Sequence, residues 1–402
     1  MRAVLAVTGT RSDWGLMTPV YQALAARPGF RQECLMTAMH LLPRFAESRA
    51  LVEAGFPGPV HPVPMLEEGA DSNADMAASL GRAVLGLAER MSALAPDLLL
   101  LQGDRGEMLA AAVAAAHLNI PVVHMSGGDR SGTIDDSLRH AISVFAHIHL
   151  TTCGASSAEL RRRGETPGRI MAVGEPGLDG LTGADLLDRA AVGAELGLEA
   201  DKPIIIVAQH PVTTESSLAA EQMRATLEAV EDFVSGGAAL AVLSAANADA
   251  GGEAMNGVIA EYAARPGFCY RPSFGPRIFL SLLKAAAVLV GNSSSGIWEA
   301  PSFGLPAVNI GTRQHGRLRA ENVLDVPAPE KAAIAAALHT ALHDAAFRRR
   351  AERCANPYGD GRAAERTAAV LEGLDLSHPH LVAKWLDGGE DFLGFARAFA
   401  FN

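Results

Sequence analysis

The chain has 402 residues, 49% hydrophobic and 20% charged, which is too apolar and too weakly charged for an intrinsically disordered protein. At roughly 150 residues per domain it holds two or three domains, each able to bury a core. The 34 lysines and arginines against 45 aspartates and glutamates leave a net charge of −11. That balance excludes a bulk polyanion binder, so no nucleic-acid partner is expected and any anionic ligand must meet a local cluster of arginines.

In chain order, short apolar runs predict strands at AVLAV (3–7), ECLMTAM (33–39), VHPVP (60–64), LLLLQG (98–103), PVVHMSG (121–127), HIHLTT (147–152) and RIMAVG (169–174). Helices are predicted between them near 43–55, 74–94, 107–118, 135–145 and 156–163. Near-continuous apolar strands joined by helix-length connections predict βαβ units and a parallel sheet covered on both faces. The pattern then restarts with PIIIVAQH (203–210), ALAVLSA (239–245), FCYRP (268–272), AAVLVGNS (286–293) and PAVNIG (306–311). Its helices are expected near 216–234, 252–264, 276–285, 295–303, 330–343 and 362–374. The chain therefore reads as two doubly wound α/β domains, 1–178 and 179–374, facing a cleft. A tail over 375–402, rich in aromatics at Trp385, Phe392, Phe395 and Phe401, is expected to pack back on the body.

Four separated cysteines, with no CxxC pair and no Cys/His ligand spacing, read as reduced thiols; no metal and no cofactor is expected. The apolar run at the start is too short for a signal-peptide core, and no uncharged stretch approaches the ~20 residues of a membrane helix. A soluble cytoplasmic protein without a membrane partner is the expectation.

Ligands of open parallel sheets bind beyond the carboxyl ends of the strands. Here those ends carry Thr8-Gly9-Thr10-Arg11, Gly103-Asp104-Arg105, Ser126-Gly127-Gly128-Asp129-Arg130, Gln209-His210 and Gly291-Asn292-Ser293-Ser294-Ser295-Gly296. Turns and helix caps account for the glycines and hydroxyls, but not for Arg11, Arg105 or His210. The Gly291–Gly296 turn, followed by a helix opening at about Ile297, reads either as an anion site or as a plain serine cap. Glu299, one turn into that helix, is placed for ribose hydroxyls. Arg313, Arg317 and Arg319 follow the next strand and either neutralise a diphosphate or form a solvated loop.

Carboxylates are the catalytic candidates. Asp104 ends a fully apolar strand, where partial burial raises a carboxyl toward the range of a general base. Asp135 and Asp136 open a helix with Arg139 and His140 one turn on, which fits catalysis or ordinary helix-end stabilisation. His124, His147 and His149 read as satisfied core residues, and the HIH pair lacks a third metal ligand.

VTGTRSDWGLMTPV, QGDRGEMLAAA, IPVVHMSGGDRSGTIDDSLRHAIS and GNSSSGIWEAPSFGLPAVNIGTRQHGRLRAENV occur in this order across 7–323. Together they resemble the UDP-N-acetylglucosamine 2-epimerase family, most of all its hydrolysing branch, which supplies precursors of sialic and legionaminic acids. The resemblance implies two Rossmann-like domains of the GT-B type with a C-terminal segment crossing back. It also implies a small-molecule nucleotide-sugar partner, UDP-N-acetylglucosamine, and a homodimer. The implied chemistry removes the C2 proton as the C1–oxygen bond to the diphosphate breaks. Water then adds to the resulting glycal and C2 is reprotonated from the other face, giving N-acetylmannosamine and UDP.

Carried over position by position, Asp104 matches the family's GD carboxylate and Asp135 the acidic residue opening its DDSxRHA helix, which also holds Arg139. Arg11 and His210 match residues that meet the diphosphate. Ser294, Ser295 and Gly296 match the phosphate loop, Glu299 the ribose-binding glutamate, and Arg313 the arginine beyond the next strand. Ser126 stands where many members have glutamate; a serine cannot take up a proton near neutral pH, so that role is vacant or moves to Asp129. Leu16 replaces a lysine of the non-hydrolysing branch. The Ser126 change makes a nucleotide-linked 2,4-diacetamido-2,4,6-trideoxyhexose the alternative substrate. A GT-B glycosyltransferase and a non-enzymatic sugar-nucleotide sensor are the rival readings.

Overall fold

The uninterrupted apolar runs become the strands of two all-parallel sheets. The computed structural model describes residues 1–68, 72–129, 134–181, 186–199, 201–247, 251–377, 381, 382 and 384. Trp385, Phe392, Phe395 and Phe401 lie outside the described residues, as does Arg130. The chain divides into two units, Met1–Gly180 with Tyr358 onward, and Leu181–Pro357.

The first unit begins with β1 (Arg2–Thr8), α1 (Arg11–Ala25), β2 (Phe30–Thr37), α2 (Ala46–Gly55), β3 (Val60–Val63) and α3 (Asn73–Leu94). It continues with β4 (Leu98–Gln102), α4 (Gly106–His117), β5 (Val122–Met125), α5 (Ile134–Phe145), β6 (Ile148–Thr151), α6 (Gly154–Arg162) and β7 (Ile170–Ala172). Its sheet order is β3-β2-β1-β4-β5-β6-β7. Because side chains alternate across a strand, Val4 and Ala6 of β1 pack with Trp14, Met17 and Val20 of α1, while Leu5 and Val7 pack with Leu87 of α3 and Met108 of α4. Both faces are covered, which is why the strands carry no polar alternation.

The second unit contains α7 (Arg189–Leu196), β8 (Ile204–Ala208), α8 (Ala219–Val234), β9 (Leu240–Ser244), α9 (Gly252–Ala263), β10 (Phe268–Arg271) and α10 (Pro276–Ala285). Then come β11 (Val288–Gly291), β12 (Ala307–Ile310), β13 (Val323–Val326), α11 (Lys331–His343) and α12 (Ala345–Arg353). Its sheet order is β10-β9-β8-β11-β12-β13. The last helix, α13 (Ala363–Gly373), returns to the first unit.

The expected boundary at 374 is therefore corrected to Pro357. Ala364, Ala368 and Leu371 of α13 share a core with Trp14 and Val20 of α1. The Asp179 carboxylate also accepts from the Ala363 (2.9 Å) and Ala364 amides at the start of α13. A second correction concerns 295–303, expected as a helix: it forms two 3₁₀ turns, Ser294–Gly296 and Ala300–Phe303. Pro301 has no N–H to donate to the Ile297 carbonyl, and its ring opposes an α-helical turn there. Helix α1 was not predicted, because Pro19 sits inside it. What nucleates it is a capping box in which Thr10 and Asp13 each satisfy the other's backbone amide. Helices α7 and α12 were also not predicted; Asp188 and Asp344 cap them.

Each sheet reverses its strand order once, between β1 and β4 in the first unit and between β8 and β11 in the second. A crevice opens at the carboxyl ends of strands at such a point. The residues that sequence reasoning singled out cluster there.

Candidate functional site

In the first unit the β1 end is fixed by Asp13, which is buried. Its carboxylate accepts from the Gly9 amide at 3.0 Å, the Thr10 amide at 3.1 Å and the Thr8 hydroxyl at 2.7 Å. Thr8 Oγ1 also lies 3.1 Å from His40 Nε2, whose Nδ1 is 2.7 Å from Ser48 Oγ. This buried network holds the turn that presents Arg11, exposed at the first position of α1. A Cβ at Gly9 would lie 2.2 Å from the Glu107 carboxylate, so any larger residue would force that side chain to shift. Burial pushes the Glu107 carboxyl up, opposed by Arg105, whose Nε donates to it at 3.2 Å. Asp13, His40 and Glu107 were not among the sequence candidates, although the Thr10-x-x-Asp13 spacing is a readable capping signal.

Beside this turn, the β4 end carries Gly103, whose φ of +80° suits glycine, and then Asp104. Asp104 pairs with Arg139 Nη2. Nη1 of the same guanidinium donates to Asp136 at 3.0 Å and to the Asp129 carbonyl at 2.7 Å. Where the sequence suggested an i+4 pair with Asp135, Arg139 makes an i+3 contact to Asp136 and a link to the neighbouring strand end. Burial pushes the Asp104 carboxyl up; the Arg139 charge opposes that shift and Asp135 adds to it.

Behind Asp104, His124 is fully buried on β5, and burial pushes it down to about 3, so it stays neutral. Its Nε2 lies 2.7 Å from the Gly103 carbonyl, which can only accept, so Nε2 carries the proton. Ser126, just after β5, has φ +64°, the left-handed region, and its buried hydroxyl has no hydrogen-bond partner among the described residues. Three residues on, Asp129 Oδ1 accepts from Thr152 Oγ1 at 2.8 Å and from Ser156 Oγ. The structure thus groups Asp104, Asp129, Asp135, Arg139 and Ser126 around the ends of β4 and β5, with Arg11 on the α1 turn after the adjacent β1. As the sequence implied, His147 and His149 are core residues: His147 Nδ1 accepts from the Val122 amide at 2.9 Å, and His149 Nε2 meets Glu165 at 3.0 Å.

In the second unit a single asparagine organises the site. Asn292 Oδ1 accepts from the His210 amide at 2.7 Å, and Nδ2 donates to the His210 carbonyl at 2.8 Å. The ends of β8 and β11 are thereby stapled together. The Asn292 carbonyl in turn accepts from Arg313 Nη1 at 3.2 Å and Gln314 Nε2 at 2.8 Å, bringing in the loop after β12. His210 Nδ1 accepts from the Asn247 amide at 3.2 Å, which leaves Nε2 as its donor. Sequence reasoning missed Asn292 and Gln314 as organisers, because neither stands out from the Gly-Asn-Ser and Arg-Gln-His runs around it.

Ser293 Oγ accepts from the Ser295 amide at 3.4 Å, so the cap belongs to Ser293, while Ser294 and Ser295 occupy the turn itself. At Gly296 a Cβ would meet the Ala307 Cβ at 3.3 Å, so the turn packs closely on β12 there. Burial pushes the Glu299 carboxyl up against a hydrogen bond from Ser295, and Glu299 Oε2 is a buried oxygen with no partner among the described residues. Arg317 lies over the Trp298 ring, 5.7 Å from its centroid. Among the described residues no group of three or more His, Cys, Asp and Glu side chains could hold a metal ion, and no helix is long and apolar enough to cross a membrane.

The sequence profile of the UDP-N-acetylglucosamine 2-epimerase family matches residues 22–372. A Legionella pneumophila UDP-N,N'-diacetylbacillosamine 2-epimerase (hydrolyzing) is 36% identical over 389 residues, 96% of this chain and 99% of that protein. A UDP-N-acetylglucosamine 2-epimerase of Neisseria meningitidis serogroup B is 32% identical over 324 residues, 81% of this chain and 83% of its own. In fold, the chain is similar to the crystal structure of a Neisseria meningitidis UDP-GlcNAc 2-epimerase bound to UDP-GlcNAc, with a TM-score of 0.75 at 17% identity over 92% of this chain and 99% of that one.

Proposed function

This chain belongs to the UDP-N-acetylglucosamine 2-epimerase family, and we propose that it is a hydrolysing 2-epimerase of a UDP-linked 2,4-diacetamido-2,4,6-trideoxyhexose. One observation carries the chemistry: Asp104, raised by burial, is paired with Arg139 at the β4 carboxyl end, where its sheet reverses order. The substrate rests on the 36% identity, along nearly the whole chain, to the Legionella hydrolysing enzyme for diacetylbacillosamine. The first unit takes the sugar and the second takes the nucleotide. Glu299 Oε2, a buried acceptor awaiting a donor, takes a ribose hydroxyl. Ser294, Ser295, Gly296, His210 and Arg313 surround the diphosphate.

The C2–H of a glycosyl diphosphate is barely acidic, because no carbonyl neighbours it. Proton removal therefore becomes feasible only as the C1–oxygen bond to the diphosphate weakens. Preorganised donors aimed at the departing anion are typically worth ~10²–10³ each in rate. Asp104 takes the C2 proton, the C1–O bond breaks toward UDP, and a C1=C2 glycal remains. Water then adds its hydroxyl to C1, and C2 receives a proton from the opposite face, with Asp129 and Asp135 as the nearby carboxylates. The products are UDP and a free manno-configured diacetamido sugar.

Incubation with UDP-N,N'-diacetylbacillosamine in D₂O should release UDP and a free sugar carrying one deuterium at C2. Its kcat/KM should exceed that for UDP-N-acetylglucosamine by at least about tenfold, roughly the discrimination one lost polar contact gives. The Neisseria relative favours UDP-N-acetylglucosamine as the second reading, and faster turnover of that substrate would establish it instead. An epimer still attached to UDP would overturn the hydrolysing assignment. Binding without turnover would make the protein a sensor.

Replacing Ser294 and Ser295 together by alanine tests the nucleotide half. The turn should survive, since Ser293 supplies its cap. Hydrogen bonds to a charged partner contribute about 1.5–3 kcal/mol each, so Kd for UDP should rise by about tenfold or more. Calorimetric titration giving an unchanged Kd would reduce the two hydroxyls to loop chemistry.

A further inference from the structure

The C-terminal segment places a lysine against the far end of the helix that carries Arg139. The last carbonyls of any α-helix lack intrahelical donors and carry the negative end of its dipole. At the end of α5 Lys384 supplies donors: its buried Nζ donates to the carbonyls of Ser143 (3.1 Å), Val144 (3.2 Å) and, just past the helix, Ala146 (2.9 Å). The ammonium is balanced by Glu165 at 2.6 Å, which is itself held by His149 at 3.0 Å. The segment is kept in place by Arg169, fully buried, whose Nη1 donates at 3.1 Å both to the Leu381 carbonyl and to the His147 carbonyl.

From that capped turn a short chain of polar contacts runs to Asp104. Ser143 Oγ lies 3.1 Å from the Arg139 carbonyl and 3.2 Å from His124 Nδ1, so its one proton is shared between them. His124 donates at 2.7 Å to the Gly103 carbonyl, immediately before Asp104, and Arg139 pairs with Asp104 itself. Every member of this path except Asp104 is buried or backbone. A shift of α5 along its axis must therefore break a contact that has no water to replace it.

We infer that Lys384 is a positioning residue for the proposed reaction: by capping α5 it holds Ser143, His124 and Arg139 in the arrangement that fixes Asp104. It touches neither substrate nor reacting atoms. The inference rests on the reading of Asp104 as the base. It places a determinant of catalysis in the C-terminal segment, more than 200 residues from the helix it steadies.

Lys384→Met keeps the aliphatic stem and removes the three donors. On the full-length enzyme its kcat should fall at least tenfold, with KM and the Kd for UDP within twofold of wild type; Lys384→Arg should recover at least half of the wild-type kcat. A wild-type kcat in Lys384→Met overturns the inference, and so does a kcat loss matched by an equal loss of folded protein. Ser143→Ala interrupts the same path without disturbing the Lys384–Glu165 pair, and decides the matter should Lys384→Met fail to fold. A severalfold loss of kcat at unchanged KM supports the inference, and wild-type kcat refutes it. Hydrogen exchange supplies a readout free of turnover: amides 142–145 should exchange at least tenfold faster in Lys384→Met, and unchanged protection overturns the capping role. If wild-type protein turns over no nucleotide sugar while those amides respond, the functional reading has failed and the capping has not.

Discussion

Asp104→Asn should lose about 10²–10⁴ of kcat, the span over which positioned acid–base groups contribute, while binding UDP as tightly as the parent. The amide is isosteric and still accepts a hydrogen bond from Arg139, so the β4 end keeps its shape. What disappears is the ability to take up a proton. Nucleotide affinity should be untouched, because every residue assigned to the nucleotide except Arg11 lies in the second unit, Leu181–Pro357. The pH dependence follows from the same environment. Burial raises the Asp104 carboxyl above its ordinary value despite the Arg139 charge. The active form is the ionised one, so kcat/KM should climb with pH through this raised value and level off above it. In Asp104→Asn that acid limb should vanish from whatever rate remains. Near-parental turnover in the variant would remove Asp104 from the mechanism and pass the proton transfer to Asp135 or Asp129.

Much of this arrangement was legible because a parallel sheet buries both faces. A strand such as β4 is therefore apolar over Leu98–Leu101, and the Gly103-Asp104 pair that follows its last residue marks the sheet edge. The same reasoning located His210 after β8 and Ser294 after β11. It failed where a local rule was masked. Pro19 hid α1 although Thr10 and Asp13 announced its start, and Pro301 was passed over in a segment whose serines looked like a helix cap. The return of α13 to the first unit could not be read from pattern, because an amphipathic helix does not say which sheet it covers; in the structure it packs on α1 and its first amides donate to Asp179. The organising roles of Asn292 and His124 were not legible for a related reason. Their importance lies in which backbone groups they reach, and those groups are distant in sequence: Gly103 from His124, and His210 from Asn292.

Gly291→Ala should be the most damaging single methyl group in the second unit. Gly291 has φ +132°, a conformation that side chains rarely adopt, and an added Cβ would lie 2.2 Å from the Ala208 carbonyl oxygen. That oxygen cannot yield: it accepts from the Asn292 and Ser293 amides at 3.1 and 3.0 Å, and Ala208 pairs with Gly291 in the ladder between β8 and β11. Strained backbone costs about 1–3 kcal/mol and overpacking a similar amount. A loss of at least about 3 kcal/mol is expected, near 6–12 °C in Tm for a unit of this size. The consequence for the site is as large as that for stability. If β11 moves away from β8, the Asn292 staple to His210 opens, and the carbonyl that holds Arg313 and Gln314 moves with it. UDP affinity should therefore fall together with Tm, whereas Gly236→Ala, where a Cβ meets nothing within 4 Å, should leave both near wild type. Calorimetry on the two variants, with and without UDP, separates the outcomes. A Gly291→Ala protein that melts with the parent and binds UDP normally would mean that β8 and β11 are not the rigid edge on which the nucleotide rests.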